Sequence, residues 1–166
     1  MRHCMPCSLQ TANCFLCLTR QILITTCSID QVPALRQWND AVIDLRGIGD
    51  PQSRSDRAHP GCHPNILRGI VEHKLLPQKL QEVRHVLQTT VGDLKLLLHC
   101  NAGKHRCVGF AWILRYILSS GSDVSIDFQG SWTCGRACLK GECHECTPSR
   151  RKRSLDDAFE IYQSLA

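Results

Sequence analysis

One segment near the middle of the chain, residues 94–118, constrains the fold more than any other. A short apolar run is followed by a seven-residue loop, Cys100–Arg106, and then by a longer apolar run. The first run has the length of a strand and the second has the length of a helix. The segment therefore predicts a strand–loop–helix unit, with an interior strand over 94–99 and a helix over 107–119.

The loop of this unit has the composition of an anion-binding site. Gly103 stands at its middle, and the cationic residues Lys104, His105 and Arg106 close it. Between a strand and a helix, successive backbone N–H groups turn inward and the helix N-terminus faces the loop centre. The guanidinium of Arg106 adds paired donors that match two phosphate oxygens. We predict an oxyanion-binding loop; the alternative is a plain strand-to-helix turn with a buried cysteine and solvated cations.

Further strands and helices alternate along the chain. Strands are predicted at 21–26, 41–46 and 123–128, and helices at 33–38, 64–74 and 78–91. This alternation is typical of a parallel sheet, whose ligands bind at the carboxyl ends of the strands. The predicted fold class is α/β: a small, mostly parallel sheet flanked by helices, with a cysteine-rich C-terminal appendage.

The 166 residues suit one folded domain with extensions. The predicted divisions are an unstructured or uncertain N-terminus (1–20), an α/β domain (21–130), a cysteine-rich segment (131–149), and a basic linker with a terminal helix (150–166). Ser154 is the predicted N-cap of that last helix, with Asp157 in the reciprocal N3 position.

Composition argues against a membrane protein. No apolar run reaches the roughly 18 residues of a membrane span, and polar residues interrupt the N-terminal stretch, so no secretory signal is expected. The net charge is +5, concentrated in the run Arg150–Arg153. Such a run is usually a solvated linker and less often a nucleic-acid or localisation patch. We expect a cytoplasmic location, with the nucleus open through Arg150–Arg153.

Twelve cysteines stand out, five of them within residues 4–27 and four within residues 134–146. In an intracellular α/β chain such clusters favour metal or reduced thiols over disulfides. Four closely spaced thiols can bind one structural zinc tetrahedrally. The predicted zinc ligands are Cys134, Cys138, Cys143 and Cys146, with reduced thiols or disulfides as the alternatives. The N-terminal pairs Cys4–Cys7 and Cys14–Cys17 have zinc-like spacing, and their role stays open.

The pattern His99-Cys100-x5-Arg106 resembles the cysteine-dependent phosphatases. In that family the cysteine is the nucleophile and the arginine clamps the phosphate. The resemblance implies that Cys100 would be the nucleophile and Asp50 the general acid. Cys107 stands where a hydroxyl residue normally follows the arginine.

Four motifs within residues 41–128 carry a second resemblance: Asp44-Leu45-Arg46, Asp50-Pro51, Gly61-Cys62-His63, and the loop from Cys100 to Cys107. Together they resemble the C-terminal domain of the RNase adapter protein family RapZ, and the His105-Arg106 pair favours this family over the phosphatases. The resemblance implies binding of a phosphorylated small molecule, such as an amino-sugar phosphate, and more weakly of RNA. No Gly-x4-Gly-Lys-Ser/Thr motif occurs, so no ATP site is expected.

The ligand-binding residues follow from this resemblance and from the chemistry of the loop. They are Asp44, Arg46, His63, Cys100, Asn101, Ala102, Gly103, Lys104, His105 and Arg106. A structural ion pair is the alternative for Asp44 and Arg46, and a plain helix-start residue is the alternative for His63. His99 is expected to support the loop. The leading prediction is a non-enzymatic phosphometabolite-binding domain; a cysteine-dependent phosphatase and an RNA-interaction module are the alternatives.

Overall fold

The computed structural model describes residues 19–49, 58–130 and 136–165. The strands are β1 (Arg20–Ser28), β2 (Ala41–Asp44), β3 (Leu94–Cys100) and β4 (Ser122–Phe128). The helices are α1 (Val32–Leu35), α2 (Pro64–Val71), α3 (Leu76–Thr89), α4 (Arg106–Leu118), α5 (Arg136–Lys140) and α6 (Pro148–Ser164). Two 3-10 turns, Ile29–Gln31 and Arg36–Trp38, flank α1.

The four strands form one parallel sheet in the order β2-β3-β1-β4. β3 lies between β2 and β1, and Lys95 is its one exposed residue. A strand that is covered on both faces reads as an almost continuous apolar run, which is why β3 lacks alternation. The predicted α/β class is confirmed: a parallel sheet flanked by helices, followed by a cysteine-rich region.

The core joins the two central strands to α4. Ile22 and Ile24 of β1, Leu96 of β3 and Phe110 of α4 have no exposed surface and belong to one buried cluster. Helix α4 is apolar on most sides, so the core anchors the whole unit that the loop connects. A rigid strand and a buried helix on either side of a loop hold its backbone in one conformation.

The C-terminal helix begins earlier than the sequence predicted. α6 starts at Pro148, after Thr147 in an extended conformation, whereas Ser154 is buried inside the helix. Proline is favoured in the first helical turn, where its missing N–H has no partner to lose. The prediction of Ser154 as the N-cap was therefore wrong, and the run Arg150–Arg153 is helical.

Within that run one arginine is buried. The Arg151 guanidinium lies 4.3 Å from the centre of the Trp112 ring, and its side chain is almost fully covered. The contact combines cation–π attraction with burial of the aliphatic stem. Among the residues that the structure describes, no helix is both long and apolar enough to cross a membrane.

Candidate functional site

The predicted binding residues gather at the carboxyl edge of the sheet. Asp44 ends β2 and lies beside His99 in the register of β2 and β3, while Ser28 ends β1 beside Cys100. The backbone N–H of Leu45 donates to the His99 carbonyl at 3.0 Å, which extends the pairing past the end of β2. The topology thus brings three strand ends to one place, as expected for a parallel sheet.

The loop after β3 rests against the end of β1 through Gly103. This residue has φ +65°, and a Cβ added to it would lie 2.7 Å from the Ser28 nitrogen and 2.8 Å from the Cys27 carbonyl carbon. Glycine is therefore required both by its left-handed backbone and by the close approach. On the exposed side, Asn101 and Ala102 face solvent. The backbone carbonyl of Lys104 accepts a hydrogen bond from the Gly61 N–H at 2.9 Å.

Cys100 sits beneath this loop in an environment that stabilises negative charge. Its side chain is buried, and its Sγ lies 3.3 Å from the Sγ of Cys107. The hydrogen bond from Cys107 lowers the pKa of Cys100 to about 5, with help from the charge of Arg106 and from the backbone N–H of Gly103, although burial opposes the shift. This environment favours the thiolate form of Cys100.

Arg106 opens α4 and is nearly fully buried. Its Nη1 donates to the carbonyl oxygens of Arg46 at 2.7 Å and Ile48 at 3.2 Å. These bonds connect the start of α4 to the segment that follows β2. The residue predicted to clamp phosphate thus also holds two neighbouring strand ends together.

Asp44 and Arg46 form an ion pair at the rim of this edge. The Arg46 guanidinium donates to both carboxylate oxygens, with a shortest distance of 2.7 Å, and both side chains are close to half exposed. The hydrogen bond from Arg46 lowers the pKa of Asp44 to about 2. His99 is buried 3.8 Å from Asp44, and burial lowers its pKa. Exposed pairs of this kind contribute little stability, so their groups remain available to a ligand.

His63 lies next to a different group of residues. Its Nδ1 accepts a hydrogen bond from the Asn65 N–H at 3.3 Å, which caps α2, and its Nε2 is 3.4 Å from the Glu145 carboxylate. The helix-start role that the sequence left open for His63 is therefore present. Its ring also stacks at 4.7 Å from His59, beside the cysteine-rich segment.

His59 is the centre of a cluster that could hold a metal ion. Its Nδ1 lies 3.4 Å from the Sγ of Cys138, 3.7 Å from that of Cys143 and 3.5 Å from that of Cys146. The four candidate ligand atoms all lie within 4.8 Å of one another. Three of the predicted zinc ligands are thus brought together, while Cys134 lies outside the described residues.

Sequence reasoning missed His59 as a ligand. It stands 79 residues before Cys138, in a polar loop over residues 47–64 whose length and lack of regular pattern indicate a functional loop. The motif His59-Pro60-Gly61-Cys62-His63 carried the available signal, since a histidine in a loop is a common metal ligand. The seven cysteines that the structure describes are free thiols, so none of them is consumed by a disulfide.

Groups around the cluster orient its members. The Glu145 carboxylate lies 3.0 Å from the Nε2 of His59, on the ring nitrogen that does not face the thiols. A carboxylate in this position fixes the tautomer of a metal-binding histidine and leaves its Nδ1 free for the ion. Cys62 is fully buried against Cys138 and Cys146 and closes the cluster from the side of α2.

The comparisons with known proteins do not identify a family: no protein-family model matches the chain, and no curated protein matches it. The resemblances to the RapZ C-terminal domain and to the phosphatases therefore stay predictions. Asp50, the general acid that the phosphatase resemblance implies, lies with Pro51 outside the described residues.

Proposed function

We propose that the loop Cys100–Arg106 binds the phosphate group of a small phosphorylated metabolite, and that the domain acts as a non-enzymatic sensor or adapter. The observation that carries this proposal is the position of the loop, at the carboxyl edge of the parallel sheet and immediately before the N-terminus of α4. The lowered pKa of Cys100 beneath the loop agrees with it. The hydrogen bond from Cys107 is the largest cause of that shift, and the charge of Arg106 and the Gly103 N–H add to it. The last two would also stabilise an oxyanion held by the same loop.

The rim of the loop favours a sugar phosphate over inorganic phosphate alone. Asp44 offers a half-exposed carboxylate at the end of the neighbouring strand, and Arg46 offers a guanidinium beside it. A carboxylate accepts hydrogen bonds from hydroxyl groups and an arginine donates to oxygens, so the pair suits a polyhydroxylated body attached to the phosphate. In this role Asp44 and Arg46 bind the ligand and break no bond in it.

Ala102→Glu is expected to abolish phosphate binding without disturbing the fold. Ala102 is exposed in the loop, so its replacement costs little stability, whereas a carboxylate there repels an anionic ligand. A ligand present at 100 times its dissociation constant stabilises the wild type by about 2.7 kcal/mol. Thermal shifts with phosphate and a hexose phosphate measure the effect.

Ala102→Gln is the matched control, since it has nearly the same volume without the charge, and it should keep most of the wild-type shift. Wild-type protein that shows no shift with either compound at millimolar concentration would contradict the proposal.

A second candidate function is phosphoester hydrolysis with Cys100 as the nucleophile. The low pKa of Cys100 favours it, because the thiolate is the reactive form of cysteine. Against it stands Cys107, which occupies the position of the usual hydroxyl residue. We therefore rank hydrolysis below binding.

We expect Cys100 to be a thiolate at neutral pH and yet to give no multiple turnover. Its alkylation rate should rise with pH through about 5 and then level off, because deprotonation is complete above that pKa. Peptide-resolved mass spectrometry after brief iodoacetamide treatment measures this profile. Sustained release of product from an aryl phosphate by wild type, lost in Cys100→Ser, would instead establish the phosphatase.

We further propose that the ion of the cysteine cluster is zinc. An ion bonded tetrahedrally at about 2.3 Å from sulfur and about 2.0–2.1 Å from nitrogen separates those two ligand atoms by about 3.5–3.6 Å. The three distances from the His59 Nδ1 to sulfur, 3.4, 3.5 and 3.7 Å, agree with this geometry. Three thiolates and an imidazole suit zinc and not a hard cation such as calcium or magnesium, and four protein ligands indicate a structural site.

A further inference from the structure

We infer that the metal cluster positions the anion-binding loop through the turn Ala58–His63, so that metal binding raises the affinity of the loop for phosphate. This turn touches both sites: His59 is a candidate ligand, His63 and Cys62 pack beside the cluster, and Gly61 and Ala58 contact the loop. The effect on affinity rests on the proposed phosphate-binding function. The effect of the metal on the position of the loop does not.

On the metal side, three residues of the turn are tied to the cysteine-rich segment. The Nδ1 of His59 faces the three thiols, and the Nε2 atoms of His59 and His63 both approach the Glu145 carboxylate, at 3.0 and 3.4 Å. Between them, Cys62 is buried against Cys138 and Cys146. Coordination of an ion by His59 would therefore fix the position of the whole turn.

On the loop side, the backbone of the turn touches the backbone of the loop. The Gly61 N–H donates to the Lys104 carbonyl at 2.9 Å, and the Lys104 Nζ donates to the Ala58 carbonyl at 3.3 Å. A Cβ on Gly61 would lie 2.0 Å from the His105 carbonyl oxygen and 2.2 Å from the Gly109 nitrogen. This spacing leaves no room for a side chain, so a shift of the turn is transmitted directly to residues 104–105.

Residues 59–63 form a turn that belongs to no helix or strand. One backbone bond within it, from the His63 N–H to the Pro60 carbonyl at 3.0 Å, precedes α2. Without the ion, no coordinate bond joins His59 to the three thiols, and the His59 side chain regains conformational freedom. We expect the affinity for phosphate to fall about tenfold, within the range that coupling between two sites usually spans.

Hydrogen exchange in the full chain tests this coupling directly. We expect the amides of residues 101–106 to exchange at least about tenfold faster in chelator-treated protein and in Cys143→Ser than in zinc-loaded wild type, because both lose the metal-held turn. His144→Ala is the control: His144 is exposed beside Cys143 and contributes no ligand, so its loop should exchange like that of wild type. Titration of the same four samples with inorganic phosphate measures the affinity of each for phosphate.

The amides of β3 serve as the internal reference for unfolding. Faster exchange in the loop with unchanged exchange in β3 supports the coupling. Loop exchange that is unaffected by metal, or that rises only together with β3, overturns it. If zinc-loaded wild type does not bind phosphate at all, the proposed function fails, and the loop exchange still decides whether the metal holds the loop.

Discussion

Changing Cys143 and Cys146 together to serine should remove the metal ion and unfold the cysteine-rich segment around α5, while the parallel sheet stays folded. Two of the four candidate ligands are lost, and a structural zinc site contributes about 10–16 kcal/mol of binding free energy in small zinc-dependent peptides. Helix α5 has five residues and a single buried side chain, Cys138, which is itself a candidate ligand. Without the ion, local backbone hydrogen bonds and the packing of Leu139 remain, and a five-residue helix is marginal on these alone.

Elemental analysis of protein purified without chelator measures the first part of this prediction, with about one zinc per chain expected in wild type. Limited proteolysis measures the second, because an unfolded segment is cut more readily. His144→Ala should match wild type in both. Metal-free wild type, or a double variant with unaltered zinc content and an unaltered C-terminal cleavage pattern, would rule out the site. If elemental analysis finds iron instead of zinc, the metal site stands and the identity of its ion is corrected.

Gly103→Ala should cost about 2–5 kcal/mol of unfolding free energy and abolish phosphate binding. The left-handed backbone at φ +65° costs an alanine about 1–2 kcal/mol. The added Cβ also approaches the Ser28 nitrogen to 2.7 Å, and relieving such a contact by moving the backbone costs about 1–3 kcal/mol more. Because the loop must move away from β1, the backbone that we propose to bind phosphate changes its shape. Urea unfolding monitored by circular dichroism measures the loss.

Gly92→Ala separates the two causes of that loss. Gly92 also has a positive φ, +81°, but nothing lies within 4 Å of a Cβ added there. This variant should therefore lose only about 1–2 kcal/mol and keep full phosphate binding. Equal losses of stability in the two variants, or phosphate binding that survives in Gly103→Ala, would show that contact with β1 does not shape the loop.

Much of the fold was predictable because burial leaves local marks in the sequence. An interior parallel strand such as β3 is apolar throughout, and a buried helix such as α4 is apolar on most sides, so both appear as runs. Gly103 could be placed in the loop for the same local reason, since a turn between a strand and a helix often needs a residue free to adopt a positive φ. The strand–loop–helix unit and the α/β class were determined at this level.

Local patterns were less decisive at the start of α6. Both Pro148 and Ser154 are good helix-start residues, and the charged run between them looked like a linker. In the structure α6 begins at Pro148 and therefore includes Arg151, whose side chain is buried over Trp112. A packing contact with a distant helix thus outweighed the local capping signal.

The sequence by itself determined the strand–loop–helix unit, its anion-binding composition and three clustered thiols, since each depends on residues close together in the chain. Only the tertiary structure decided that His59 joins those thiols, that Arg106 holds the carbonyls after β2, and that one turn contacts both sites. These contacts join residues 43 to 87 positions apart. Such pairings depend on the order of the strands in the sheet and on the packing of helices, which no local spacing encodes.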